Sequence, residues 1–409
     1  MSIQINYIEG IFWHIKIILF THYIYNIENI LKKNWPNVYK ELGIKPVINA
    51  RSWVTIYGGS IMKPEVIKSI QEASSVFVDL EELHEVAGEF ISKVCGSEMS
   101  IVTSGCAASI VLMAAACITG KDKDKIAKLP NTEGMNNEIL IHKGQRNNYD
   151  KAFEIPGGKL VEYDNESLEK KINKKTCAIA YIIAPFFDEG VGLQQTIEIA
   201  HKNNLPVILD AAAELPPREN LTKFISMGVD AVGFSGGKGI GGPQSTGILA
   251  GKRELLEAAK LHSFQNLHTT KATIGRPMKV TKENIVGFIT ALKLFMEDDE
   301  ILEKNLWYKK AQLIKDKINP KDGLKIYIDD KYPYRQGPTV VLSFESNYEG
   351  PKSDKIMEEL SKNDPKIFVG GGLNDGHAYM DEIYIVVHSL EEVDVNIITN
   401  KLNEIIQNY

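Results

Sequence analysis

The chain is 409 residues long, 44% hydrophobic, with 47 basic and 53 acidic side chains and a formal charge of −6. Such a length leaves room for a large domain and a smaller one, each with its own core, while the negative balance argues against a nucleic-acid-binding surface, which carries a basic patch or stripe. Cys95, Cys106, Cys117 and Cys177 form no C-x-x-C pair and no metal-ligand spacing, so they read as buried thiols of a cytoplasmic protein that holds no metal.

Residues 1–43 read as an N-terminal extension unlike the rest. Ile11–Tyr25 is apolar and aromatic, but His14, Lys16 and His22 interrupt it short of the ~20 residues that cross a bilayer. Glu9 stands where a secretory leader carries basic residues, and no small-residue cleavage site follows. The expectation is an extra helix packed on a partner subunit or a segment translated upstream of the true start, with no membrane span.

From Gly43 to about Arg253 short apolar runs alternate with helical stretches, the pattern of a parallel α/β sheet, and a large domain is expected over 44–280. Strands are predicted at Met99–Thr103, Glu138–His142, Cys177–Ile183, Val207–Asp210 and Ala231–Ser235. The first runs into Ser104-Gly105-Cys106 and then a small-residue stretch to Cys117. Backbone N–H groups at such a helix start bind an anion; the small residues would equally let a helix pack closely on a sheet. Val207–Asp210 ends in a carboxylate, followed by Ala211-Ala212-Ala213-Glu214. Ala231–Ser235 runs straight into Ser235-Gly-Gly-Lys238-Gly-Ile-Gly-Gly, a bend too rich in glycine for a helix or strand interior. The Walker phosphate-loop spacing fails there, since Gly239 follows Lys238; a plain glycine turn with a solvated lysine is the other reading. Taken in the order phosphate turn, acid, lysine, the three features suit pyridoxal phosphate: an amine for its aldehyde, and Asp210 for its pyridinium nitrogen. These residues fall at the C-terminal ends of strands, where open α/β sheets bind ligands. Beyond residue 280 a helix over about Lys282–Ile318 links to a C-terminal α+β domain within 281–409, with strands Thr339–Phe344 and Ile383–Val387 and a last helix over about Glu391–Ile406.

The residues carry a further likeness. Ile48-Asn49-Ala50, Thr103-Ser-Gly-Cys-Ala107, His142-Lys-Gly-Gln145, Asp210-Ala-Ala and Ser235-Gly-Gly-Lys238-Gly resemble the selenocysteine-synthase-like family of fold-type-I pyridoxal-phosphate enzymes. Within it the match resembles most the D-glucosaminate-6-phosphate ammonia-lyase branch, through Gly58-Gly-Ser60, the run His142–Asp150 and the run Gly237–Gly247. The likeness covers about Tyr39 to the C-terminus. Only about forty residues precede it, too few for the tRNA-handling domain of bacterial selenocysteine synthase.

The resemblance implies the fold-type-I PLP-dependent transferase fold and at least a homodimer. It implies cofactor contacts from Ser104, Gly105, Cys106, Asp210, Ala212, Ser235, Lys238 and Gln145, and places His142 where it stacks on the cofactor ring or passes protons to a leaving hydroxyl. In a chain with six arginines among 47 basic residues, an arginine hints at a bidentate anion contact. Arg276 with Lys279, Arg51, Ser60 and Arg335 are therefore the substrate-side candidates, each with a surface role as its alternative, and Arg218 and Arg253 read as structural. The implied reaction is elimination of water from a hydroxylated amino acid such as D-glucosaminate 6-phosphate, followed by hydrolysis that releases ammonia and gives a 2-oxo-3-deoxy acid. Selenium or sulfur transfer, racemisation, transamination and a non-catalytic regulatory role remain the alternatives. Ser52-Trp53 stands where a small residue such as glycine is expected, which points to a reshaped substrate-side loop.

Overall fold

The structure, a computed structural model, describes residues 35–183, 190–263, 272–331, 336–372 and 381–408. The readings made for Ile11–Tyr25 and for Arg335 lie outside the described residues.

The strands are β1 Ile48–Ala50, β2 Met99–Thr103, β3 Glu138–His142, β4 Lys159–Tyr163, β5 Thr176–Ile182, β6 Val207–Asp210, β7 Ala231–Ser235, β8 Gly247–Gly251, β9 Leu324–Asp329, β10 Thr339–Phe344, β11 Ile367–Gly371 and β12 Glu382–Val386. Helices of ten residues or more are numbered α1 Pro64–Ser74, α2 Leu80–Cys95, α3 Cys106–Thr119, α4 Leu193–Lys202, α5 Arg253–His262, α6 Lys282–Glu297, α7 Glu300–Lys317, α8 Ser353–Lys362 and α9 Glu392–Asn408. Two compact units result. Among the described residues, one comprises those of 53–303 with 330–336; the other comprises 35–52, 304–329 and those of 337–408. Residues 44–52, grouped from the sequence with the large domain, thus join the C-terminal unit, because β1 pairs in parallel with β11.

The first unit is a seven-stranded sheet in the order β2-β8-β7-β6-β5-β3-β4. Every neighbouring pair is parallel except those of β8, which runs antiparallel to both β2 and β7. Both faces of the sheet are covered, so its strands read as unbroken apolar runs. Ile139 and Ile141 pack with α3 and α5 on one face, and Leu140 between them packs with α2, α4 and α6 on the other. The same two-residue alternation divides Ala178 and Ala180 from Ile179, and Ile208 from Val207 and Leu209. Close seating of α3 requires glycine at 233 in β7, where a Cβ would stand 2.9 Å from Cys106 Sγ and 3.1 Å from Ser109 Cβ.

The second unit holds a five-stranded sheet in the order β1-β11-β12-β10-β9, antiparallel apart from the β1–β11 pair. Val340, Leu342, Ile383 and Ile385 are fully buried in it, as are Ile356 and Leu360 of α8 and Ile398 and Leu402 of α9. The long helix expected over 282–318 is two helices. Asp298 leaves helical geometry at φ −60 and ψ 146, and the Asp299 side chain accepts from the N–H groups of Ile301 and Leu302 at 3.0 Å, starting α7. The Arg218 guanidinium donates to the Met296 carbonyl at 2.9 Å and lies over the Phe295 ring, closing the end of α6 in the structural role expected of it.

Candidate active site

Strand direction brings the ends of β2, β3, β6 and β7 to one edge of the seven-stranded sheet, where β8 begins. Thr103 and Ser235 both pair with Gly247, one on each side. A Cβ on Gly247 would stand 2.7 Å from the Gly105 carbonyl carbon, so this glycine lets the Ser104-Gly105 turn close over β8 beside the Lys238 bend. On the far side of β7, Asp210 pairs with Gly233. The phosphate turn, the acid and the lysine bend are therefore neighbours along one edge.

The turn itself is set by hydroxyls. Thr103 Oγ1 lies 3.0 Å from the Gly105 carbonyl and 2.8 Å from Ser109 Oγ, which reaches the Ile248 carbonyl at 3.0 Å. Gly105 caps α3 with φ 139 and no side-chain hydrogen bond closes the helix start, while Ala107 beside it is exposed. The start of α3 thus carries the positive end of the helix dipole with no side-chain cap.

Asp210 is buried, and both of its hydrogen bonds go to one oxygen. Oδ1 accepts from the Ala212 N–H at 2.9 Å and from Cys106 Sγ at 3.3 Å, which leaves Oδ2 for a cation. Burial and the Asp210 charge push the Cys106 thiol well up, so it stays a donor. Burial likewise pushes the Asp210 carboxyl up, against the Ala212 N–H, the Cys106 thiol and the Lys238 ammonium, which pull it down.

Lys238, half-buried, sits in a closely packed backbone bend. Gly236 N–H donates to Thr246 O, Gly242 N–H to Gly236 O and Gly241 N–H to Lys238 O, each at 2.9 Å. A Cβ on Gly237 would stand 2.4 Å from Gln244 Cα, and one on Gly239 2.2 Å from the Leu215 carbonyl oxygen. Ser60 holds the bend from outside: its N–H and its hydroxyl both donate to Gly237 O, at 3.0 and 3.1 Å.

His142 ends β3 with its ring buried, edge-on to Tyr163 at 5.5 Å between centroids. Its Nδ1 accepts from the Gly144 N–H at 3.1 Å, which assigns the proton of the neutral ring to Nε2. That Nε2 has no hydrogen-bond partner among the described residues. A Cβ on Gly190 would stand 2.6 Å from the ring, so the backbone at 190 lies directly on it. Gln145, fully buried, accepts from the Ile182 N–H at 3.0 Å through Oε1, and its buried Nε2 has no partner among the described residues. Because Ile182 pairs with Asp210 in the sheet, the Gln145 amide stands at the same edge.

On the substrate side, Arg276 and Lys279 are exposed at either end of a short turn, and no hydrogen bond or ion pair among the described residues ties them to Asp210 or Lys238. Arg51, half-buried, belongs to the other unit, where its N–H donates to Asn49 Oδ1 at 3.0 Å. Ser52 adopts φ 72, the left-handed region that glycine enters without strain; its carbonyl accepts from Asn49 Nδ2 at 2.7 Å. Arg253 binds the Glu98 carbonyl at 2.8 Å, a structural contact.

One site residue went unread in the sequence. Glu214, four residues beyond Asp210, is buried beside the Lys238 bend, and burial followed by the Asp210 charge pushes its carboxyl up to about 7. The available signal was a second carboxylate, four residues past the one that ends β6, in an otherwise apolar run.

This edge fits pyridoxal phosphate: an amine at Lys238, a buried carboxylate with one oxygen open to a cation, an uncapped helix start for an anion, and two orphaned buried nitrogens at His142 and Gln145. Among the described residues no group of His, Cys, Asp and Glu gathers in a way that holds a metal ion. No helix among them is long and apolar enough to cross a membrane.

Comparison with known proteins bears on the same edge. The aminotransferase class-V family model matches residues 65–380. The D-glucosaminate-6-phosphate ammonia lyase of Salmonella typhimurium is 35% identical over 270 residues, covering 63% of this chain and 70% of that protein. A 5'-C-glycyluridine monooxygenase-decarboxylase of a Streptomyces species is 27% identical over 385 residues, 90% of this chain and 92% of that one. Among solved structures, that of a D-glucosaminate-6-phosphate ammonia-lyase superposes with a TM-score of 0.77 at 28% identity, covering 92% of this chain and 99% of the other.

Proposed function

The chain belongs to the aminotransferase class-V family, with pyridoxal phosphate as its cofactor, and we propose that it is an ammonia-lyase acting on a hydroxylated, phosphorylated amino acid such as D-glucosaminate 6-phosphate. One water leaves and one is taken up in the hydrolysis that frees ammonia, so the net product is the 2-oxo-3-deoxy acid. The observation that carries this reading is the meeting of Asp210, Lys238 and the uncapped start of α3 at one sheet edge, in a chain so similar to a D-glucosaminate-6-phosphate ammonia-lyase.

When bound, pyridoxal phosphate supplies an electron sink for the charge left as a bond at the substrate Cα breaks. Lys238 Nζ would hold the cofactor through its aldehyde, and as a free amine Lys238 would take the Cα proton of the substrate. Asp210, ionised through Oδ2, keeps a positive charge on the pyridine nitrogen; burial favours that pairing because a lone carboxylate there is costly. The N–H groups at Ser104, Gly105 and Cys106 hold the phosphate, with Ala212 and Ser235 lining the same edge. His142 donates its Nε2 proton to the departing hydroxyl, and the Gln145 Nε2 donates to the ring substituents. Arg276 and Lys279 gather the substrate's phosphate, while Ser60 acts through the Gly237 carbonyl.

In the segment 56–86, Ile56, Ile61, Ile67, Phe77 and Val86 are exposed, Phe77 completely. An apolar surface of this kind marks a contact with another protein, and we assign it to a two-fold homodimer. Four free thiols suit a reducing compartment, which supports a cytoplasmic enzyme.

The test is turnover of D-glucosaminate 6-phosphate by the purified protein with pyridoxal phosphate and no added 2-oxo acid. Equal amounts of ammonia and 2-oxo acid are expected; product only in the presence of a keto-acid acceptor would make the protein an aminotransferase instead.

A further inference from the structure

We propose that Glu214 is the proton-exchange partner of Lys238: a buried carboxyl, fixed beside the lysine bend, that takes a proton from the Lys238 ammonium and returns it. This rests on the reading of Lys238 given above and adds a residue to it.

The placement is built by backbone contacts. Glu214 N–H donates to Ala211 O at 3.2 Å, turning the chain back after β6. Its carbonyl is held by Asn220 Nδ2 at 2.7 Å. The next residue, Leu215, presents its carbonyl to Gly239, so close that only glycine fits there. The segment bearing Glu214 therefore packs directly on the residue after Lys238. The side chain is 3% exposed, and no hydrogen bond or ion pair of its carboxylate occurs among the described residues. The charged groups that act on it are Asp210 at the end of β6, Lys238 in the bend, and the exposed Lys223 on the helix Asn220–Ser226.

A buried carboxylate is normally paired, and Asp210 is already engaged by Ala212 and Cys106. Glu214 meets Lys238 in two states that conserve charge: carboxylate with ammonium, or carboxylic acid with neutral amine. Passing between them breaks an N–H bond at Lys238 Nζ and forms an O–H bond at Glu214, with no oxidant or reductant. This gives Lys238, after it takes the Cα proton, somewhere to leave it. The carboxyl suits the exchange because burial and the Asp210 charge raise its affinity for a proton toward neutrality.

The experiment is a pH titration of the near-visible absorption of the lysine-bound cofactor in the substrate-free holoenzyme, for the wild type, Glu214→Gln and Glu214→Asp. Wild type is expected to show an inflection near pH 7, Glu214→Asp an inflection displaced from it and Glu214→Gln none, and turnover by Glu214→Gln is expected to fall about ten-fold or more. The same inflection in Glu214→Gln, with the absorption intact, overturns this role and leaves Lys238 standing. Absence of the absorption in wild type removes the Lys238 reading itself, and this role with it. Should Glu214→Gln fail to fold, Glu214→Asp with an unmoved inflection also contradicts the proposal, since a shortened side chain must titrate differently.

Discussion

The bend at Lys238 and the turn at Arg276 each present a cation on a short glycine-containing segment of the same unit, yet they are built in opposite ways. Around Lys238 the backbone is tied to itself three times and to Ser60 twice, and glycines 237 and 239 leave no space for a side chain. Around Arg276 the backbone makes ordinary turn contacts, Arg276 N–H to Thr273 O and Met278 N–H to Gly275 O, and the side chain extends into solvent. The first segment fixes an amine before any ligand arrives, which lowers the cost of reaching the reactive geometry. The second leaves its guanidinium unpaired among the described residues, as expected of a group whose partner is the substrate.

Breaking the bend should have the largest effect. Lys238→Ala is expected to lower kcat by roughly 10³-fold or more and to abolish the near-visible absorption, both measurable on one sample. Gly239→Ala attacks the same region through shape alone: its methyl group would strike the Leu215 carbonyl, so a loss of about 2–3 kcal/mol is expected in urea unfolding. Arg276→Ala tests the other region. There KM for a phosphorylated substrate should rise about ten-fold or more with kcat nearly unchanged, the signature of binding lost equally from ground and transition states.

Acid and base act on the bend as well. Glu214 has its proton affinity raised by folding, so its contribution to stability is full below its ordinary titration near 4.5 and is lost as pH rises through about 7. The cofactor-free protein should therefore lose about 2 kcal/mol of stability between pH 5 and 8, and Glu214→Gln should flatten that slope in melting curves; an equally steep slope in the variant would assign it elsewhere. The smallest effect is expected in the other unit. Ser52→Gly relieves a φ of 72 and should stabilise by about 0.5 kcal/mol or less, because glycine also frees the unfolded chain.

The same contrast explains what the sequence discloses. Strands buried on both faces, such as Glu138–His142 and Ala231–Ser235, were readable to the residue because continuous apolar runs bounded by polar or glycine residues have few other fates. The Lys238 bend was readable because its glycines are demanded by backbone contacts. The edge strand Lys159–Tyr163 was not, since its half-exposed pattern carries two charges, and Gly247–Gly251 hid behind the glycine loop before it. The break between Glu297 and Glu300 depends on Asp299 capping a new helix and on Arg218 closing the old one, a contact 80 residues distant in sequence. Neither the bonds of Ser60 to the Gly237 carbonyl nor the burial of Glu214 beside the bend was legible, since both depend on which loops meet in space.

The central claim is that Lys238 carries the cofactor. Reduction of the holoenzyme with borohydride, followed by digestion and mass mapping of the pyridoxyl label, tests it on the protein itself. The label is expected on the peptide containing Lys238 and to vanish in Lys238→Arg. Stable labelling of a different lysine, with Lys238 unmodified, would contradict the account.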